Sequence, residues 1–274
     1  MQASHSQGTR LPDTVTTMPD LDPLHYQPAT RLLSERVVLV TGASSGIGER
    51  AALAFAAHGA TVILHGRDME RLERVYDQIV ASGAATPAIL PLDFANATER
   101  DFDNLEQTVR AQLGRLDGIL HNAAHFAPLT ALENQRLDEW LRLLRVNLAA
   151  PFALTRACLP LLRAAPDASV VVTGETHGLH PGAYWGGFAV AKSGLTAYAR
   201  IQADEWSSMP SLRINLVVPG RVDSPCRART HPGEARTSRA SIDSLMPLYL
   251  YLMGSDSRGV SGQVFEADEL RRRR

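Results

Sequence analysis

With only two cysteines in 274 residues, Cys158 and Cys226, this chain lacks a disulfide framework. Their separation matches no metal-ligand spacing, so both read as free thiols of a reducing compartment, and the cytoplasm is the expected location. An excess of charge of either sign is also missing, because 28 basic residues stand against 29 acidic ones. That balance gives no electrostatic footprint for nucleic acid or for an anionic membrane surface. No apolar run is long enough to span a bilayer. Residues 1–30 contain Asp13, Asp20 and Asp22. They have neither the apolar stretch of a secretory signal nor the acid-poor character of a transit peptide. No His/Cys cluster has zinc spacing and no Gly-x-Ser-x-Gly elbow occurs, so no metal site is expected and serine-hydrolase chemistry drops out.

What is present is apolar material for a sizeable core, 45% of the residues. Residues 1–30 are rich in Pro, Thr, Asp and Gln without periodicity and read as a flexible N-terminal arm. Residues 271–274 form a basic tail, either a solvated terminus or a partner-binding patch. Between them, short apolar runs alternate with amphipathic segments. Strands are expected at 37–40, 61–64, 88–92, 118–120, 169–172 and 214–218. Asp68 reads as an N-cap, with Leu72, Val75, Tyr76, Ile79 and Val80 at helical spacing behind it and Gly83 as the stop. Thr98 to Asp101 reads as a capping box before the face Phe102, Leu105, Val109 and Leu113. Long helices fit 135–163, where Pro160 is expected to end or kink the helix, and 188–208. Alternating strands and helices with near-continuous apolar strands indicate an α/β fold. It is read as a single Rossmann-type, doubly wound parallel sheet with helices on both faces, over residues 31–270.

The first strand runs into Thr41-Gly42-Ala43-Ser44-Ser45-Gly46-Ile47-Gly48 and then into an apolar helix over 51–57. A strand, a glycine-rich turn and a helix start together bind pyrophosphate. The glycines let the backbone approach closely, and unpaired N–H groups at the helix start face the anion. The spacing Thr-Gly-x-x-x-Gly-x-Gly resembles the short-chain dehydrogenase/reductase family. Further segments carry the resemblance in order. Asp93 sits where the family contacts adenine. His121-Asn122-Ala123-Ala124 is similar to its Asn-Asn-Ala-Gly segment. Asn147 stands at the family's structural and catalytic asparagine and Lys192 at its active-site lysine. Pro219-Gly220-Arg221-Val222-Asp223-Ser224 resembles the turn that holds the nicotinamide, with Ser224 for the usual threonine. Gly262-Gln263-Val264-Phe265 resembles the last strand, so the likeness spans about residues 32–268. His25-Tyr26-Gln27-Pro28 and Met246-Pro247-Leu248-Tyr249-Leu250 resemble one bacterial branch of the family. The resemblance implies a dinucleotide held by Gly42, Ser44, Ser45, Gly46, Ile47, Gly48, Asp93, Asn122, Ala124, Lys192, Pro219, Gly220, Val222 and Ser224. It also implies a small-molecule substrate and a homodimer or homotetramer built through the two long helices.

The second strand ends at His65-Gly66-Arg67. A dinucleotide domain selective for NAD(H) commonly has a carboxylate here for the ribose hydroxyls. A guanidinium instead pairs with a 2′-phosphate, so Arg67 points to NADP(H), with NAD(H) left open as a second occupant.

The catalytic centre departs from the resemblance. The family has a tyrosine four residues before the lysine, and here that position is Phe188. Its serine lies about thirteen residues earlier still, where this chain has Glu175. A phenyl ring donates no proton, and losing a positioned general acid costs ~10²–10⁴-fold in rate. Three readings stay open. Another side chain takes the role, from Tyr184, Thr176, His177 or Glu175; or the substrate is an activated alkene that needs no strong acid; or the protein binds NADP(H) without turnover, as a sensor or assembly partner. Tyr184 qualifies only if the chain is already helical there. The segment 225–239 reads as a lid carrying Cys226, Arg227, Arg229, His231 and Arg236, either a solvated loop or a site for an acidic substrate.

Overall fold

The computed structural model describes residues 22–273. The sheet begins at Val37–Thr41 (β1), buried along its whole length, and continues through α1 (Gly46–Ala57), β2 (Thr61–Gly66), α2 (Met69–Ala81) and β3 (Ala88–Pro91). After α3 (Glu99–Leu113) and β4 (Gly118–His121) come α4 (Leu137–Leu144) and α5 (Ala150–Ala164). The second half holds β5 (Ala168–Thr173), α6 (Thr176–Leu179), α7 (Gly186–Glu205), β6 (Leu212–Val218) and α8 (Pro225–Thr230). It closes with α9 (Met246–Met253), β7 (Val264–Glu266) and α10 (Ala267–Arg272).

The seven strands are all parallel, in the order β3-β2-β1-β4-β5-β6-β7. Successive residues of β1 alternate between two cores, as the two-residue period of a strand requires. Val38 and Val40 join Phe55, Leu72, Ile79 and Leu252 on the side of α1, α2 and α9. Val37 and Leu39 join Val109, Leu154, Leu161 and Leu195 on the side of α3, α5 and α7. The expected fold class is the observed one. The chain reverses its direction of travel across the sheet between β1 and β4, which makes their carboxyl ends a switch point where such sheets bind ligands.

The local signals behave as their chemistry predicts. The Asp68 carboxylate accepts from the N–H of Arg71, and Thr98 and Asp101 cap each other reciprocally. Three expectations need correction. The helix read as 135–163 is interrupted over residues 145–149 by a π-helical stretch. Pro160 does not end it, because Pro160 and Arg156 are both exposed and water can serve the Arg156 carbonyl that loses its N–H partner. The arm read over residues 1–30 is docked over residues 22–30. Leu24 and Tyr26 are buried, Tyr26 meets Tyr251 edge-on at 5.4 Å, and its hydroxyl donates to Asp256 at 2.8 Å. Residues 1–21 and Arg274 lie outside the described residues. Of the basic tail, Arg271 and Arg272 close α10, and Arg271 pairs with Asp268. No described helix is long and apolar enough to cross a membrane.

Candidate functional site

A cleft of about 710 Å³ opens over the carboxyl ends of the strands. Its floor is the turn after β1, where Gly42 and Gly46 both have positive φ, 67° and 61°. At Gly42 a Cβ would stand 2.9 Å from the Ala123 Cα, so the turn and the end of β4 are in backbone contact. Thr41 fastens that contact. Its hydroxyl accepts from the N–H groups of Asn122 and Ala123, at 2.9 and 3.0 Å, and donates to the Leu120 carbonyl. Ser45, in extended conformation, is the N-cap of α1, so the first N–H groups of a twelve-residue helix face the cleft.

Of the turn residues read from the sequence, Gly42, Ser44, Ser45, Gly46 and Ile47 line the cleft. Gly48 does not: it is buried, and a Cβ there would collide with the Gly42 carbonyl and stand 2.6 Å from Asn122 Nδ2. Its role is to let the helix close on the turn. Arg67 and Asp93 lie on one wall, 3.8 Å apart. Asp93 also accepts from Ala95 N and Asn96 Nδ2. Asn122, Ala124, Lys192, Pro219, Gly220, Val222 and Ser224 line the rest. Sequence reasoning missed Arg71, in the first turn of α2 and four residues after Arg67, which also lines the cleft. The four-residue spacing was the available signal.

Burial dominates the other end. Lys192 is 4% exposed, and its ammonium donates to the Thr173 carbonyl at 2.8 Å. Desolvation holds its pKa down, partly countered by Cys226 and Glu175. Phe188, 2% exposed, lines the cleft beside it and packs edge-on against Phe126 at 5.2 Å. Cys226, at the start of α8, also lines this end, and burial raises its thiol pKa against the pull of Lys192 and Arg229.

Glu175 and Thr176 line the cleft. The Glu175 carboxylate is already engaged, accepting from the backbone N–H of His177 and meeting its Nδ1 at 3.1 Å. His177 stacks on Trp185 with centroids 3.5 Å apart and is not among the lining residues. Tyr184 is a correction. The helix starts only at Gly186, Tyr184 itself has φ of 73°, and its side chain is 62% exposed. It borders a hollow of about 210 Å³ with Ala127, Trp140 and Leu143 on the other side of Phe188, which lines both this hollow and the cleft, and no helical turn carries it toward Lys192. Asn147 is buried in the π-helical stretch and does not reach the cleft surface. Its amide clamps the His125 backbone, donating to the carbonyl at 2.8 Å and accepting from the N–H at 3.1 Å, and it also donates to Leu143 O. His125, which sequence reasoning passed over, lines the cleft with Nε2 on Glu139.

The lid is an ordered element. Ser224 caps α8 by accepting from Arg227 N, and an ion-pair lattice over Asp223 and Glu234 closes the rest of it. No grouping of three or more His, Cys, Asp or Glu suited to a metal occurs among the described residues.

Residues 36–235 match the family model for short chain dehydrogenase. A curated relative, the uncharacterized oxidoreductase YciK of Escherichia coli K12, is 38% identical over 244 residues, covering 89% of this chain and 96% of that protein. Among solved structures, the short chain dehydrogenase from Shigella flexneri superposes with a TM-score of 0.86 at 37% identity, covering 90% of this chain and 96% of that one. A structure from Escherichia coli CFT073 complexed with NADPH superposes with a TM-score of 0.84 at 38% identity, covering 88% and 99%.

Proposed function

The chain belongs to the short-chain dehydrogenase family, and on that premise we propose that it is an NADP(H)-linked oxidoreductase. It acts on a carbonyl/alcohol pair or an activated alkene, without a phenolic acid. One observation carries the reading: the glycine turn, Arg67 and Lys192 line a single continuous cleft.

The residues fit a dinucleotide. Gly42 lets the turn pack directly on the Ala123 backbone, and Ser44, Ser45, Gly46 and Ile47 line the cleft where α1 begins. The first N–H groups of α1 with Ser44 and Ser45 would hold the pyrophosphate. Arg67, with Arg71 beside it, would pair a 2′-phosphate, and no carboxylate stands at Gly66 to repel one. Asp93, Asn122 and Ala124 would flank the adenosine and ribose, and Pro219, Gly220, Val222 and Ser224 the nicotinamide. The relative solved with NADPH supports the phosphate assignment. When bound, the nicotinamide gives or takes a hydride. Lys192, with one proton on Thr173 O, keeps two for a ribose or substrate oxygen. Phe188 supplies an apolar wall and no proton. Of the acids read from the sequence, Glu175 and Thr176 line the cleft and Tyr184 does not.

A second reading, dinucleotide binding without turnover, is favoured by one feature: the Phe188 ring packs against Phe126 and brings no hydroxyl to Lys192. A homodimer or homotetramer is supported by exposed Leu141 on α4, Phe152 on α5, and Val190 and Ile201 on α7.

The test is a fluorescence titration with NADPH and NADH, then a carbonyl and enone panel with NADPH consumption as readout. Tight NADPH binding with turnover supports the oxidoreductase. Binding without turnover moves the second reading to first place, and no binding removes both.

A further inference from the structure

Four arginines and lysines other than Arg229 line the cleft, and each has a partner. Arg67 faces Asp93, Arg71 pairs with Asp68 at 3.0 Å, and Lys192 donates to Thr173 O. Arg227 makes two bonds to Glu234, at 2.7 and 2.8 Å. Pro225 and Ser224 fix the start of the lid helix, with Pro225 Cδ 3.1 Å from where a Gly46 Cβ would be. The outer lid arginines are likewise spent, Arg236 on Asp223 at 2.6 Å and Arg239 on Glu234 at 3.2 Å.

Arg229 differs. It lines the cleft, it is exposed, and among the described residues no carboxylate lies within 4.0 Å of it. Its side chain donates instead to the thiol of Cys226, one turn earlier on α8. Both residues line the cleft that Lys192, Glu175 and Thr176 also line. The Glu175 carboxylate, which also lines the cleft, is already occupied by His177.

An unpaired guanidinium is well hydrated in an open cleft. Once cofactor and substrate displace that water, the charge is costly unless an anion replaces it. The planar fork suits a carboxylate or another oxyanion, and the ion-pair lattice of the lid presents it from a fixed position. We infer that Arg229 is a specificity residue that binds an oxyanion, a carboxylate in the simplest case, carried by the substrate near its reacting carbonyl or alkene. This rests on reading the cleft as an NADP(H)-linked oxidoreductase site. The same guanidinium chemistry would suit a phosphate of the dinucleotide, so the test separates the two.

Wild type and Arg229→Gln are first titrated with NADP⁺, then, saturated with it, with two matched probe pairs in a calorimeter: pyruvate against methyl pyruvate, and levulinate against methyl levulinate. In wild type, at least one acid binds about tenfold or more tightly than its ester, the worth of one charge-assisted hydrogen bond. In Arg229→Gln that preference collapses to within about threefold while NADP⁺ affinity stays within about threefold, and Arg229→Lys retains part of the preference. Equal binding of acid and ester in wild type, no binding of either, or a preference that survives in Arg229→Gln overturns the inference. A tenfold loss of NADP⁺ affinity in Arg229→Gln also overturns it, by giving the guanidinium to the cofactor. Failure of wild type to bind NADP⁺ or NADPH is a separate result that removes the oxidoreductase reading beneath it.

Discussion

The ammonium of Lys192 lies 5.8 Å from the centroid of the Phe188 ring and 2.8 Å from the Thr173 carbonyl oxygen. A cation at that range is held by the ring quadrupole, a weak attraction that does not offset its desolvation. The lysine is therefore buried beside an aromatic group that cannot take or give a proton. On the proposed reading, a phenol in place of that ring would have a cation beside it.

Phe188→Tyr supplies that hydroxyl. Phe188 is among the residues that line the cleft with Lys192. With NADPH and a broad carbonyl panel, reduction is expected to rise about 10²-fold or more, the usual worth of a positioned general acid. The gain should vanish when Lys192→Met is added, because the neighbouring cation keeps the phenolate accessible. A folded Phe188→Tyr protein that binds NADPH and gains nothing would show that the pocket lacks more than one hydroxyl.

Arg67→Ala is expected to weaken NADPH by about tenfold to a hundredfold and NADH by threefold or less. Charge-assisted hydrogen bonds to a 2′-phosphate are at stake, and NADH carries none. Arg67 is largely exposed and its pairing with Asp93 spans 3.8 Å, so the fold should be unaffected. Fluorescence titration of both cofactors checks it, and equal losses for both would assign Arg67 to the adenosine rather than to the phosphate. Arg71→Ala in the same experiment measures how much the neighbouring helix contributes.

Gly48→Ala should remove dinucleotide binding without touching a ligand. The new methyl would run into the Gly42 carbonyl and Asn122 Nδ2, so the glycine turn or the end of β4 must shift. Overpacking of this kind costs roughly 1–3 kcal/mol of stability. Cofactor affinity and the melting temperature should fall together. Unchanged affinity would mean the turn can move without loss.

The fold was legible because its signals are local. The apolar runs of β1 and β2, the Asp68 cap and the Thr98–Asp101 box each depend on residues within a few positions. The glycine turn was legible for the same reason. What could not be read was the direction of side chains whose partners are remote in sequence. Tyr184 sits only four residues from Phe188, yet with its left-handed backbone it borders only the smaller hollow, whereas Phe188 lines both that hollow and the cleft. Glu175 stands where a substrate-binding hydroxyl was expected, but His177 claims its carboxylate. Arg229 is indistinguishable in sequence from Arg227, and only folding reveals that Glu234 serves one and not the other. The docking of residues 22–30 likewise hangs on Tyr26 meeting Asp256, 230 positions away.

Stability should fall in mild acid, and His65 should account for a large share of the fall. His65 on β2 is 1% exposed, stacked on Phe94 at 4.3 Å, and neither ring nitrogen has a hydrogen-bond partner of normal geometry. Burial lowers its pKa to about 4; His121 on β4 is lowered to about 3, by burial first and by His65 second. Both folded-state values lie below the ordinary 6.5, so the folded chain favours the neutral rings. Their contribution is complete above pH 6.5 and drains away as pH falls toward 4 and 3, where the folded forms also take up protons. At pH 5 each ring is expected to have cost about 2 kcal/mol relative to pH 7.5, at roughly 1.4 kcal/mol per pKa unit. For a chain of this size that is a fall of roughly 4–8 °C in melting temperature per ring. His65→Leu removes two unpaired nitrogens from an apolar setting, so its stability at pH 7.5 should be kept or slightly raised. Between pH 7.5 and 5 it should lose clearly less stability than wild type. Coincident melting curves for wild type and His65→Leu across that range would mean that His65 is protonated in the folded chain, and that the cleft wall reorganises around its charge.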